Sequence, residues 1–245
     1  MILEKKPDIS DSPAGIQALE ILIDKLSNNE YPPGTPLRET VLAVEFKLSR
    51  NAVREALNQL VGWDVVEYLP FRGYRVRELS LRDLLEWYEL REAIEPIAAR
   101  RLALMRSARV VDELEKYNED ERIAFEKGDL KAATIADQKF HIAIVANCGN
   151  RSFIRQQNRG YLALMFFVGP DYLQKYPIAR YKNYTLDESN RETHRVHSEI
   201  IRHIRNGNAD EAEALLKLHC QIQVQQLMNY LAVHNDGTFI SERVR

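Results

Sequence analysis

Ile16, Leu19, Ile23 and Leu26 recur at steps of three, four and three, the spacing that lays apolar side chains along one face of a helix. The pattern stops at Pro32, Pro33, Gly34 and Pro36, which punctuate a turn. A second short helical pattern carries Leu42, Ala43 and Phe46, and Ser49 stands where an N-cap would open a third helix. In that third helix Ala52, Val53, Ala56, Leu57 and Leu60 make an apolar face. Arg50, Arg54 and Asn58 share another face at i, i+4 and i+8, with Asn51 beside them. Two β-prone runs, 65–69 and 74–77, flank Pro70-Phe71-Arg72-Gly73 and read as a hairpin with an arginine at its tip. Three helices and a hairpin in this order predict a winged helix-turn-helix domain over residues 1–78.

Beyond a short connector the pattern turns helical almost throughout. Leu81, Leu84, Leu85, Tyr88, Ile94, Ile97, Ala98 and Leu102 line a long helix that Pro96 should bend. Further helical stretches are expected near 108–127, 129–147, 150–168, 187–206 and 208–234. Residues 169–187, with Tyr172, Tyr176, Tyr181 and Tyr184, read either as a short helix or as a loop over a cavity. The expected fold is therefore mainly α: a winged domain with a small β-hairpin, then an all-α antiparallel bundle over residues 79–245 whose interior could hold a ligand.

Composition narrows the function classes. The 245 residues carry 34 Lys+Arg against 36 Asp+Glu, a formal net charge of -2, which excludes coating of nucleic acid by bulk charge. Between Lys47 and Arg77, however, six cations face three anions, a local excess of +3 centred on the third helix and the hairpin. Arg50 and Arg54 lie near that helix's N-terminal end, where a major-groove helix needs donors and where its dipole favours phosphate. Two cysteines are too few for a disulfide framework, and neither a secretory h-region nor a run of roughly 20 apolar residues is present. These features read as a cytoplasmic protein without a membrane segment.

The second domain carries its chemistry in histidines. Asp137 and His141 are four apart in a helical stretch, so both point from one face. His197 and His219 flank the turn Asn206-Gly207-Asn208. His197 lies nine residues before Asn206 and His219 eleven after Asn208, or ~14 and ~17 Å along antiparallel helices. Packing the two helices would bring both rings to nearly the same height. One carboxylate and three imidazoles suit a borderline divalent metal such as Zn, Ni or Mn, with positions left for a ligand. His194 is one turn from His197, whereas His203 should face elsewhere.

Two stretches resemble known families. Pro33-Gly34-Thr35-Pro36-Leu37, Leu42-Ala43, the run from Leu48 to Leu57 (LSRNAVREAL) and Pro70-x-Arg72-Gly73-x-x-Val76 resemble the DNA-binding domain of GntR-family bacterial transcription regulators. By that resemblance Ser49, Arg50, Asn51 and Arg54 contact operator DNA, and Arg72-Gly73 place the wing in the minor groove. Ala52, Asp64 and Thr40 stand where relatives commonly have proline, glycine and arginine. Asp137-x-x-Phe140-His141, His197-x-x-Ile200-x-x-x-Ile204 and Ala212 followed by His219 resemble the helical effector domain called FCD, of the FadR-like branch. The resemblance implies that Asp137, His141, His197 and His219 are metal ligands completed by a small organic acid, with Arg91 facing the acid's carboxylate; an Arg91–Glu95 pair at i, i+4 is the alternative for that arginine.

The function expected is a homodimeric, ligand-responsive regulator, more commonly a repressor, that binds a palindromic operator in double-stranded DNA. Two other readings stand beside it. One is a regulator whose effector cavity holds no metal. The other is a metalloenzyme built on the three histidines and the aspartate, against which no further acid or base lies at a recognisable spacing.

Overall fold

The computed structural model describes residues 12–78, 81–157 and 186–234, and its backbone divides into two compact units that meet in sequence at Ser80 and Leu81.

In the first unit, helix α1 (Pro13–Ser27) starts at Ser12, whose Oγ accepts from the Gly15 amide at 2.9 Å and donates to Glu55 at 2.6 Å. Its buried face is Gly15, Ala18, Leu19, Leu22 and Leu26. Ile16 and Ile23 lie only half-buried at its margin, so the buried stripe is rotated from the one expected. The chain then turns through Pro32–Thr35 and forms a two-residue strand, β1 (Pro36–Leu37), which no periodicity in the sequence signals. Helices α2 (Glu39–Phe46) and α3 (Arg50–Gly62) follow, separated by Lys47 in the left-handed conformation. Ala52, Val53, Ala56, Leu57 and Leu60 of α3 are all buried, as their spacing requires.

Asp64, at φ +63°, turns the chain out of α3 into β2 (Val66–Leu69), and its carboxylate pairs with Arg77 at 2.9 Å. Aspartate tolerates that conformation better than most residues. Strand β3 (Gly73–Val76) pairs antiparallel with β2, Tyr68 opposite Tyr74, and with β1, Leu37 opposite Tyr74, giving the sheet order β1-β3-β2. The core of this unit joins Leu19, Leu22, Val53, Leu57, Leu60, Val65 and Val76.

The described part of the second unit is helical: α4 (Leu81–Met105), α5 (Ala108–Glu126), α6 (Leu130–Asn147), helical residues 151–157, α7 (Leu186–Asn206) and α8 (Ala209–His234). Residues 158–168 of the stretch expected to be helical, and 169–185 of the least readable segment, lie outside the described residues. Helix α4 runs unbroken through Pro96 and packs along α8, α5 packs against α6 and α7, and α7 against α8. Phe140, Ile144, Leu102, Leu114, Ile200, Ile204 and Leu216 fill the centre. Ile97, expected on the packed face of α4, is 42% exposed instead.

Gly207 closes the α7–α8 turn at φ +76°, and a Cβ there would collide with the Arg106 guanidinium. Gly207→Ala is expected to lower stability by at least about 1–2 kcal/mol, the cost of the left-handed conformation alone. Urea unfolding should show the transition at lower denaturant; an unchanged midpoint would contradict this assignment of the turn.

Candidate nucleic-acid interface and candidate metal centre

Ser49 caps α3: its Oγ accepts from the Ala52 amide at 3.2 Å, which fixes the first turn and leaves Arg50, Asn51 and Arg54 exposed on the outward face. Arg54 forms a two-pronged pair with Glu39 at the start of α2, Nε to Oε1 at 2.8 Å and Nη2 to Oε2 at 2.7 Å. Arg50 Nη2 lies 3.7 Å from the same carboxylate. These guanidinium groups hold the Glu39 carboxyl below the usual carboxylate range, Arg54 contributing most. Exposed pairs of this kind add little stability. Their effect is geometric, because a bidentate contact fixes the plane of the guanidinium.

Asn58, on the same face of α3, is occupied by the fold: its Oδ1 accepts from Tyr74 Oη at 2.7 Å, tying the helix to β3. Glu67 and Asp64 pair with Arg75 and Arg77. The cations of the basic segment that remain exposed are therefore Lys47, Arg50, Arg54 and Arg72, the last in the turn before Gly73 at φ +81°.

In the second unit, five helices send polar side chains to one buried point. Helix α6 supplies Asp137 and His141, α7 supplies His197 and α8 supplies His219; all four are buried. The Nε2 atoms of His197 and His219 are 3.3 Å apart, and Asp137 Oδ1 lies 3.7 Å from His141 Nε2 and 4.0 Å from His197 Nε2. Donors at bond lengths of about 2.0–2.1 Å around one ion stand roughly 3–4 Å from each other, so these separations fit a shared divalent metal. His141 Nε2 is buried with no hydrogen-bond partner, as a nitrogen reserved for a metal would be.

The outer nitrogens of two rings meet carboxylates. His141 Nδ1 is 2.7 Å from Glu95 Oε2 on α4, and His197 Nδ1 is 3.3 Å from Glu121 Oε2 on α5. The Glu95 hydrogen bond sets the tautomer of His141 and aims its Nε2 lone pair inward, while Glu121 approaches His197 at ion-pair distance. Glu121 also forms a group with Asp137 and His197 that could hold a metal. Its position on the far nitrogen of His197, opposite the one facing His219, suits the orienting role. Phe140 stacks on His197 at 4.0 Å and fixes the plane of that ring.

Arg91 completes the cluster. Its Nε donates to Glu95 Oε1 at 2.9 Å, while its guanidinium packs beside Trp87 and Tyr88. Of the two roles expected for Arg91, the i, i+4 pair is thus made, yet Nη2 remains buried without a hydrogen-bond partner. Burial pushes His141 well below the ordinary imidazole range and His219 down to about 3, assisted by Arg91 and the neighbouring rings. Both are neutral at neutral pH, the form that binds metal. Burial raises the Glu95 carboxyl against the pull of Arg91, and raises the Cys220 thiol, whose Sγ lies 3.5 Å from Glu95.

Residues 16–76 match the family model described as bacterial regulatory proteins, gntR family, and residues 86–221 match the FCD domain. The chain belongs to the GntR family, in its FCD branch. Among its relatives, the HTH-type transcriptional repressor RspR of Escherichia coli K12 is 33% identical over 56% of this chain and 60% of its own length, so the match spans less than two thirds of that relative. An HTH-type transcriptional regulator of Agrobacterium vitis is 34% identical over 53% of this chain and 77% of its own length. The solved structure of E. coli McbR/YncC shares the fold, with a TM-score of 0.66 at 21% identity over 89% of this chain and 98% of that one. The FCD domain of this chain offers histidine and carboxylate groups that could hold a metal. No described helix is long and apolar enough to cross a membrane.

The structure brings together Asp137, His141, His197 and His219, the four residues that the spacing of the sequence had paired, and keeps two other histidines apart from them. His194 Nδ1 is 3.3 Å from the Asn118 carbonyl, and His203 contacts Arg202 and Asn208. Sequence reasoning missed Glu39 and Glu121. Glu121 lies on the same helical stripe as Val111, Leu114 and Asn118, a periodicity that marks it as inward-facing. Glu39 is fifteen residues from Arg54, and only the crossing of α2 and α3 joins them.

Removing one member of a buried pair leaves the other charge unpaired. Glu95→Ala is expected to cost about 3–5 kcal/mol, and the joint replacement Arg91→Met with Glu95→Leu to recover much of that loss. Equilibrium urea unfolding followed by circular dichroism checks both; a Glu95→Ala protein as stable as the parent would contradict the pairing.

Proposed function

We propose that this GntR regulator acts in the cytoplasm as a homodimeric repressor that binds a palindromic operator and senses a small organic acid at a divalent metal. The observation that carries the sensing half is the convergence of three imidazole Nε2 atoms and the Asp137 carboxylate, with Glu95 and Glu121 on the outer nitrogens of two of the rings.

On the DNA side, Arg50, Asn51 and Arg54 present donors from the first turns of α3 to base edges in the major groove, Ser49 contacts the backbone, and Arg72 with Gly73 places the wing in the minor groove. Two copies would read half-sites about 34 Å apart. Ile97 and Leu104 on α4 and Leu218 and Ile222 on α8 are exposed apolar residues on two packed helices, which supports a second copy of the chain covering them. In gel-shift titrations Arg50→Ala and Arg54→Ala are each expected to weaken specific binding by roughly 10- to 100-fold, the range of one good base contact. Unchanged affinity in both variants would overturn this assignment of the face.

On the sensing side, Asp137, His141, His197 and His219 would hold the metal. A bound divalent ion supplies a Lewis acid with coordination positions open to a carboxylate. Arg91 Nη2 offers a buried cationic donor to the same acid, while Glu95 holds the other side of the guanidinium in place. An acid that binds better in one arrangement of the two domains would shift operator affinity by a coupling of about 1–3 kcal/mol. Protein purified without a histidine tag is expected to carry close to one equivalent of Zn, Ni or Mn, and His219→Ala to lose it. Small di- and hydroxycarboxylic acids should raise the melting temperature of the loaded parent but not of His219→Ala, since a ligand specific to the folded state stabilises it. A parent that carries no metal and takes up none of the three ions would favour the metal-free cavity instead.

A further inference from the structure

Phe71 occupies the tip of the β2–β3 hairpin, in a turn closed by the Arg72 amide donating to the Leu69 carbonyl at 3.0 Å. Pro70 takes the first central position of that turn and Phe71 the second, at φ +65°. This conformation is the one for which turns select glycine or asparagine, and a bulky side chain there is a steric outlier. The ring is also fully exposed, at 107% of its reference area, so among the described residues no burial offsets the strain. One residue thus carries two unfavourable features, a disfavoured backbone and an unburied aromatic ring. Strain of this kind at an exposed tip is a reason to look for a binding role.

What surrounds the ring indicates the occupant. Arg72, next in sequence, is exposed, and Tyr68 on β2 is 56% exposed with its ring 5.1 Å from that of Tyr74. The tip therefore presents an aromatic ring beside a guanidinium on a module that binds DNA. The minor groove suits this pair: its walls are deoxyribose rings, which accept apolar side chains, and its potential attracts arginine.

We propose that Phe71 is itself a DNA-contacting residue, its ring packing into the minor groove against deoxyribose and base edges while Arg72 supplies the charge. The contact gives a return for the strained, exposed conformation only in the complex. The proposal rests on the reading of α3 and the wing as the DNA-binding surface, so its test carries a control for that reading.

The probe is a duplex selected by the parent protein from a random-sequence library, and binding is followed by fluorescence anisotropy over a salt series with the full chain. Phe71→Gly is expected to lose roughly tenfold in affinity, as for removal of one aromatic contact. Because no phosphate contact is lost, its salt dependence should run parallel to that of the parent, whereas Arg72→Ala should reduce the slope by about one ion. The melting temperature of Phe71→Gly should be unchanged or raised, since glycine relieves the backbone. Phe71→Trp should keep affinity within about twofold, and its added indole emission should change when duplex binds. Phe71→Gly binding like the parent, while Arg54→Ala binds poorly, would overturn the role of Phe71 and leave the DNA-binding surface intact. Full affinity in Arg54→Ala would instead sink the surface itself. A lowered melting temperature in Phe71→Gly would make the ring a structural part of the turn and would also overturn the proposal.

Discussion

The contact between Glu95 Oε2 and His141 Nδ1, 2.7 Å long and out of water, is the interaction on which the helical domain depends. A carboxylate placed among apolar helices is costly unless its charge and lone pairs are met. Glu95 is met on one oxygen by Arg91 and on the other by His141, with the Cys220 thiol beside it. The chain Arg91–Glu95–His141 thus converts a destabilising burial into a fixed relay. Its outcome is a single ring orientation in which His141 Nε2 faces Asp137. The apolar shell of Phe140, Ile144, Ile200 and Leu216 keeps water away, which strengthens every electrostatic contact inside it.

The same device recurs across the molecule, with consequences set by exposure. Glu121 lies at ion-pair distance from His197 on the far side of the buried cluster, and Glu39 grips Arg54 at the surface of the winged domain. Inside the bundle such a carboxylate carries both stability and orientation. At the surface it carries mainly orientation, because water screens the charge. Glu39 nonetheless competes with whatever Arg54 contacts in a complex. The winged domain therefore presents Arg54 in a defined plane, whereas Arg50 only approaches the same carboxylate at 3.7 Å.

Much of this was legible from residue spacing. The apolar stripe of α3 and the Ser49 cap follow from local rules, and the structure reproduces them residue by residue. The paired heights of His197 and His219 about the Gly207 turn follow from helix geometry alone. What the sequence hid was of two kinds. Helix α1 carries apolar residues at 16, 18, 19, 21, 22, 23 and 26, a band too wide for periodicity to choose its centre, and packing chose Ala18 and Leu22. Strand β1 and the Glu39–Arg54 pair arise from contacts between segments far apart in sequence, which no local pattern encodes. Glu121 was concealed differently: it sits in an acidic run that reads as a solvated face until the stripe through Leu114 and Asn118 is followed.

The proposed function depends on the buried histidine and carboxylate cluster being a metal centre. Anomalous diffraction at the absorption edge of the ion that co-purifies with untagged protein tests it most directly. A single strong peak bonded to Nε2 of His141, His197 and His219 and to Asp137 is the result expected. Crystals of metal-replete protein with no anomalous peak among those four side chains would contradict it.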